Sequence, residues 1–408
     1  MISGIHKTDT SLTFRLKENV SVANALRRTI LSEIETPVLR DIRITKNTSR
    51  FTNELLAQRL GCVPVVSLDP AVIGAEVRLA VKNTSEEILM VTTEHLVANG
   101  HPHLFPPSVY GDKEWFIDLL RLRPAIANIA GEEIELSCVV GLGKASESGQ
   151  YNVASTCSYA MTQNQAASDE AFKSQEDSKD NWNLLEAKRF VEPDSFDFLI
   201  ETIGVYTNHE LVVKACEVLI LSLHSLTFQI EPSLSTMKSC FDVILLDGDY
   251  TVGKLLEYEV FKEHGNTVSY VTFLKKHPHD ADGILRVATL GDVDLTALVS
   301  DAARRVAELF IKIKRKFGGK LEPELETDLQ EFHKVEKESK QQILREKGKS
   351  AEDVAAADEE ALNEMATVYS EEVAVKRKKK AQEKKPTKDV EESEPKTPRA
   401  KAKGKKAA

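Results

Sequence analysis

Val22-Ala-Asn-Ala-Leu-Arg-Arg-Thr-Ile-Leu31 is the stretch on which the reading of this 408-residue chain turns. Ala23, Leu26 and Ile30, continued by Ile34, recur at three- and four-residue spacing, which predicts a helix over 22–34 with one buried stripe. Ser21 stands ahead of it as an N-cap whose hydroxyl can accept an orphan backbone N–H, and Pro37 follows as a stop. Arg27 and Arg28 fall away from the centre of the stripe. Upstream, Leu12, Phe14 and Leu16 alternate over 11–17, the period of a half-buried strand. Downstream, a short helix over 53–60 is punctuated by Gly61 and Pro64.

Residues 75–140 then read mostly as strands and loops, with Pro102, Pro106 and Pro107 marking an irregular excursion, so a β-rich insert is expected. The polar stretch 162–180 (TQNQAASDEAFKSQEDSKD) predicts a loop. A strand over 196–201 and a helix over 208–226 follow. In that helix Leu211, Val212, Ala215, Val218, Leu219, Leu223 and Leu226 cover more than one face, which demands burial against its own sheet and against a second surface. After a polar break at 231–239 the plan returns. It runs through a strand over 241–246, an Asp247-Gly248 turn, a helix over 251–262 stopped near Gly265, and strands over 268–274 and 284–290. A long helix over 295–317 closes it, striped by Leu295, Leu298, Ala302, Val306, Leu309 and Ile313. This is likeness of plan, with no fixed-period repeat.

With 41% hydrophobic and 29% charged residues the chain reads as soluble and globular rather than disordered or fibrous, and the strands and helices just placed make the expected fold class α+β. The most apolar run, 211–226, is interrupted by Lys214, Glu217 and His224, and no stretch of about 18–20 uncharged apolar residues suits a bilayer. Residues 1–20 alternate in polarity and predict no secretory signal. The scattered Cys62, Cys138, Cys157, Cys216 and Cys240 suit a reducing compartment better than a disulfide framework or a zinc site. Residues 321–375 are charged and helix-prone. Residues 376–408 carry 14 basic against 5 acidic residues and no aromatic, so they predict a disordered basic tail, while the rest of the chain is strongly acidic.

Candidates for chemistry are thin. Gly141-Leu-Gly143-Lys144-Ala-Ser146 has glycines and a lysine, but a Walker loop needs G-x-x-x-x-G-K-[ST] opening into a helix; a structural turn is the better reading. His95, His101 and His103, and the pair His277 and His279, lack the cysteine or helical carboxylate partners of a zinc site and read as surface turns. No G-x-S-x-G elbow or H-E-x-x-H helix occurs, so no catalytic residue, metal or cofactor is expected. Lys376-Arg-Lys-Lys-Lys380 could neutralise phosphates or simply be solvated. Arg27 and Arg28 could offer two forks to carboxylates of another chain, or be ordinary helix-surface arginines.

Residues 22–31 closely resemble the signature helix of the α-type assembly subunits of cellular RNA polymerases, a group that includes bacterial α, archaeal D and the eukaryotic third-largest subunit. Thr52-Asn-Glu-Leu-Leu-Ala-Gln-Arg-Leu-Gly-Cys-Val-Pro64 is similar to the N-E-x-x-A-x-R-L-G-x-x-P segment of the archaeal and eukaryotic branch. Residues 191–202 (VEPDSFDFLIET) resemble the strand before that family's dimerisation helix. Further on, Asp249-Tyr-Thr-Val-Gly-Lys-Leu-Leu256, His277-Pro278 and Ile284-Leu-Arg-Val-Ala-Thr289 resemble the smaller partner, archaeal L and the eukaryotic eleventh subunit. Tyr250 and Lys254 stand where that family has His and Asn. Ala145-Ser-Glu-Ser-Gly-Gln150 replaces the H-A-K-W-S-P that follows the G-x-G-K turn, and the insert's cysteine cluster of some members is missing.

The resemblance implies a fused heterodimer: two α-type dimerisation modules, a β-rich insert and a tail. The expected divisions are 1–38 and 187–230 for module 1, 39–186 for the insert, 231–320 for module 2, 321–375 for a charged extension and 376–408 for the basic tail. It implies a noncatalytic platform that docks the two largest polymerase subunits, and smaller ones, through Asn24, Arg27, Arg28, Asn53, Glu54 and Arg59. It further implies an intramolecular interface of Leu211, Ala215, Val218, Leu219, Leu223 and Leu226 with Leu298, Ala302, Val306, Leu309 and Ile313. No cofactor, metal, membrane or homodimer is expected, and contact with DNA or RNA is expected only indirectly or through the tail. Fusion raises effective concentration and sets one-to-one stoichiometry. Such fusion is associated with large cytoplasmic DNA viruses of eukaryotes, which would place the chain in viral factories and the virion; a nonviral chain would be nuclear. The alternative is a free-standing nucleic-acid-binding protein acting through the basic tail.

Overall fold

The computed structural model describes residues 2–319 except 9, 68, 111, 112, 127 and 174–177. The extension and tail expected over 321–375 and 376–408 lie outside the described residues.

The chain opens with strands β1 (Ile2–Lys7) and β2 (Ser11–Lys17) and helix α1 (Val20–Ser32). Next come β3 (Thr36–Asn47), α2 (Asn53–Gly61), β4 (Glu76–Lys82), β5 (Leu89–Thr92), β6 (Val97–Ala98), β7 (Ser108–Tyr110), β8 (Lys113–Trp115), β9 (Asp118–Leu122) and β10 (Glu133–Gly143). β11 (Ala154–Gln163), α3 (Gln165–Phe172), α4 (Lys179–Leu184), β12 (Val191–Thr202) and α5 (Asn208–His224) follow. The last third holds β13 (Phe228–Pro232), β14 (Cys240–Leu245), α6 (Tyr250–His264), β15 (Val268–Leu274), β16 (Gly283–Thr289) and α7 (Leu295–Lys316).

The same order occurs twice. One antiparallel sheet runs β1-β2-β12-β11 and another runs β13-β14-β16-β15. In each, a hairpin leads into a helix (α1, α6), then a second strand pair leads into a longer helix (α5, α7). α5 packs on α7, α6 on α7, and α1 on both α5 and α6. The side chains between the two sheets form one continuous core, with Phe198, Leu219, Val299 and Phe310 almost or wholly without solvent contact. Only Ser225, Leu226 and Thr227 separate α5 from β13.

The first of these units is interrupted between α1 and β11. There β3, β10, β4 and β6 form a separate sheet, on which α2 lies with its own core of Leu56, Leu60, Leu79 and Leu136. The expected insert, 39–186, therefore starts a few residues late and ends too late. Strand β3 already begins at Thr36, and β11 pairs with β12 in the first sheet, Cys157 opposite Ile200. β11 escaped recognition because it is an edge strand with Ser155, Ser158 and Gln163 exposed, which dilutes its apolar period. The expected start of module 2 at 231 likewise cuts through β13.

Two local expectations fail for reasons of capping. α1 begins at Val20, not 22, because Asn19 rather than Ser21 is the cap: Asn19 Oδ1 accepts the N–H of Ser21 at 2.9 Å. Both residue types cap equally well, so the choice rests on where the preceding strand ends. Ile34, although buried, lies beyond the helix. The stretch 162–180, expected as a loop, holds α3 and the start of α4, capped by Asn164 and Ser178. Trp182 anchors them, its indole N–H donating to Ser168 Oγ at 3.0 Å beside Phe172 and Phe190.

In the second unit, Phe273 lies between the backbones of Gly253 in α6 and Gly283 in β16, where a Cβ would meet its ring at 2.2 and 2.4 Å. The absence of a side chain lets the helix approach the sheet. Gly253→Ala should therefore destabilise by about 1–2 kcal/mol, since overpacking of about 1–3 kcal/mol exceeds the ~1 kcal/mol gained in helix propensity. Chemical denaturation of the two chains checks this.

Candidate subunit interface

α1 presents Asn24, Arg27 and Arg28 on the face opposite its buried Ala23, Leu26 and Ile30. Arg27 is half-buried and bends back one turn, Nε and Nη2 both donating to Asn24 Oδ1 at 3.2 and 2.9 Å. Its charge is felt at Cys157 of β11, though burial dominates there and pushes the thiol up to about 12. That thiol is neutral at ordinary pH and is no nucleophile. Arg28 is exposed and reaches the second unit, Nη2 lying 3.9 Å from Oδ2 of Asp249, the N-cap of α6.

Asn53, Glu54 and Arg59 sit on α2, on the insert. Thr52 caps this helix, and Glu54 lies exposed in its first turn, where a carboxylate complements the helix dipole. Asn53 Oδ1 accepts from Asn47 Nδ2 at 2.8 Å, and Arg59 donates to the Asp118 carbonyl at 2.7 Å while lying over Phe51. The structure thus brings Asn24 and Arg27 together and ties Arg28 to α6. The α2 residues form a separate exposed group that is engaged in holding the insert.

Of the residues expected at the α5–α7 interface, Leu211, Ala215, Leu219, Leu223, Leu298, Ala302, Val306 and Ile313 are buried and Val218, Leu226 and Leu309 partly so, Leu226 lying just beyond the end of α5. The first turn of α5 meets the last of α7, His209 against Phe317 at 5.6 Å. Sequence reasoning missed the second buried face of α7, which carries Val299, Ala303 and Phe310. It also missed Lys314, whose side chain is 3% exposed and whose Nζ pairs with Glu217 of α5 at 2.9 Å. The signal was available: Lys314 falls at helical spacing between Phe310 and Phe317.

The remaining candidates are structural. Gly141 and Gly143 lie within β10, and Lys144 pairs with Glu35 at 3.4 Å, so this segment braces the end of α1 rather than opening into a helix. His277 and His279 share a turn, the backbone N–H of His279 donating to Nδ1 of His277. Among the described residues no group of three His, Cys, Asp or Glu side chains is placed to share a metal ion, and no helix is long and apolar enough to cross a membrane.

The chain is similar to the DNA-directed RNA polymerase subunit Rpo3 of Methanosphaera stadtmanae, 28% identical over 148 residues that make up 33% of this chain and 51% of that one. It is similar to the RNA polymerase II subunit RPB3 of Schizosaccharomyces pombe, 29% identical over 167 residues, 35% of this chain and 52% of that one. It is also similar to the human RPAC1 subunit of RNA polymerases I and III, 27% identical over 190 residues, 38% of this chain and 53% of that one. The chain spans about half the length of the curated relatives it matches. The family described as the RNA polymerase Rpb3/Rpb11 dimerisation domain matches residues 14–223, from β2 to the end of α5, and so takes in α1, its arginines and the helix that packs on α7. With more than half of its length matched, the chain belongs to the RNA polymerase Rpb3/Rpb11 dimerisation domain family.

Proposed function

We propose that the chain is a noncatalytic assembly-platform subunit of a multisubunit DNA-directed RNA polymerase, in which two dimerisation modules pair within one polypeptide. The observation that carries this reading is the doubled sheet order, each sheet feeding a long helix, with α5 and α7 packed together inside one core. The matching family is described as a dimerisation domain; here the proposed second half of the pair follows α5 after three residues. On this reading the two large subunits dock on the exposed faces of α1 and α2, and the chain forms no homodimer because its pairing helices already cover each other.

The test is purification of the tagged chain from its natural source, with identification and stoichiometry of what accompanies it. Two polymerase-sized chains at one-to-one ratio are expected; nucleic acid without them would favour the basic tail as the functional element. Deleting 376–408 should leave the large chains bound. Reversing both arginines, Arg27→Glu with Arg28→Glu, should lower recovery of the large chains at least about tenfold while the melting temperature holds, because both side chains lie off the buried stripe and charge complementarity governs the encounter.

A further inference from the structure

The two arginines of α1 are held by different parts of the chain. Arg27 is positioned within its own helix, by Asn24. Arg28 is positioned across the core, by Asp249. The Asp249 carboxylate is divided: Oδ1 accepts the N–H groups of Thr251 and Val252, both at 3.0 Å, and Oδ2 faces Arg28. With side chains 44% and 49% exposed, the ion pair adds little to stability. A single 3.9 Å contact also engages only one edge of a guanidinium that has five N–H donors.

We propose that Asp249 is the positioning residue of a composite docking face: it orients Arg28 beside Arg27 so that the pair receives a carboxylate-bearing surface of a large polymerase subunit. This rests on the docking reading of α1. Residues 1–320 carry 34 basic against 43 acidic residues, and two adjacent arginines on one helix concentrate positive charge where a negative partner can meet it. A bidentate carboxylate outcompetes the long contact to Asp249, and a fork already restrained by that contact loses less freedom on binding. Because Asp249 belongs to the second unit, the face is complete only when α1 and α6 have packed together. Docking then reads whether the two halves have paired.

Asp249→Asn isolates the effect, since asparagine caps a helix as well as aspartate but carries no charge. The full-length chain should melt with the wild type, while recovery of the two identified large chains from its natural source falls about threefold at low salt, and the difference should narrow as ionic strength rises. If Asp249→Asn melts several degrees early, Asp249→Ser, another good cap, carries the test. Wild-type recovery by the neutral variants, with loss in the Arg27/Arg28 reversal, overturns this proposal and leaves the docking reading standing. Wild-type recovery by the Arg27/Arg28 reversal overturns both.

Discussion

Truncating Phe310 to alanine should lower the unfolding free energy by about 3–5 kcal/mol, the range for emptying a fully buried aromatic site. Phe310 has no solvent contact and stands on the face of α7 that the apolar stripe of Leu298, Ala302 and Val306 does not include. It is packed in the one core shared by both sheets, so no neighbouring surface can relax into the gap without disturbing two layers. The loss should appear in denaturant titration as a lower midpoint with an unchanged slope. A fall below ~1 kcal/mol would mean that the two sheets do not share a core.

The pair Glu217 and Lys314 should respond asymmetrically to removal of either partner. Glu217→Gln leaves the Lys314 ammonium buried without its counter-charge, and we expect a loss of about 2–3 kcal/mol. That is somewhat under the ~3–5 kcal/mol of a fully buried pair, because Glu217 is 41% exposed and water can approach the site. Lys314→Met instead deletes the buried charge, keeps the aliphatic volume and leaves Glu217 to solvent. It should be neutral or stabilising. Denaturation of the two variants side by side decides the point; equal losses would mean that Lys314 contributes chiefly through its aliphatic stem.

How far the sequence carried these conclusions depends on range. Helical stripes are local, so α5, α6 and α7 are legible in the sequence to within a few residues, and so is the return of strand, helix, strands and helix after 240. A stripe identifies one buried face only. That Phe310 and Val299 also lie inside follows from α7 being covered on two sides, which no window within the helix reveals. Lys314 had the helical spacing of the buried face but was passed over for its charge, and β11 was hidden by its polar edge. α3 and α4 were hidden in a stretch whose composition is that of a loop, although Phe172 and Trp182 stood in or beside it as anchors. The contact of Arg28 with Asp249 had no local signal at all: both residues were named, but on separate motifs, and only the packing of α1 on α6 brings them face to face.

The interruption of the first sheet also sets an order of events during synthesis. β2 emerges early, yet its partner β12 lies beyond the whole insert. At ~5–20 residues per second the ribosome needs on the order of 10–35 s to deliver β12 after β2. The insert, whose strands are contiguous in the chain, can close in that interval. The nascent sheet edge and the apolar side of α1 meanwhile wait uncovered, so the newborn chain depends on the insert folding promptly and on protection of that edge until residue 202 is made.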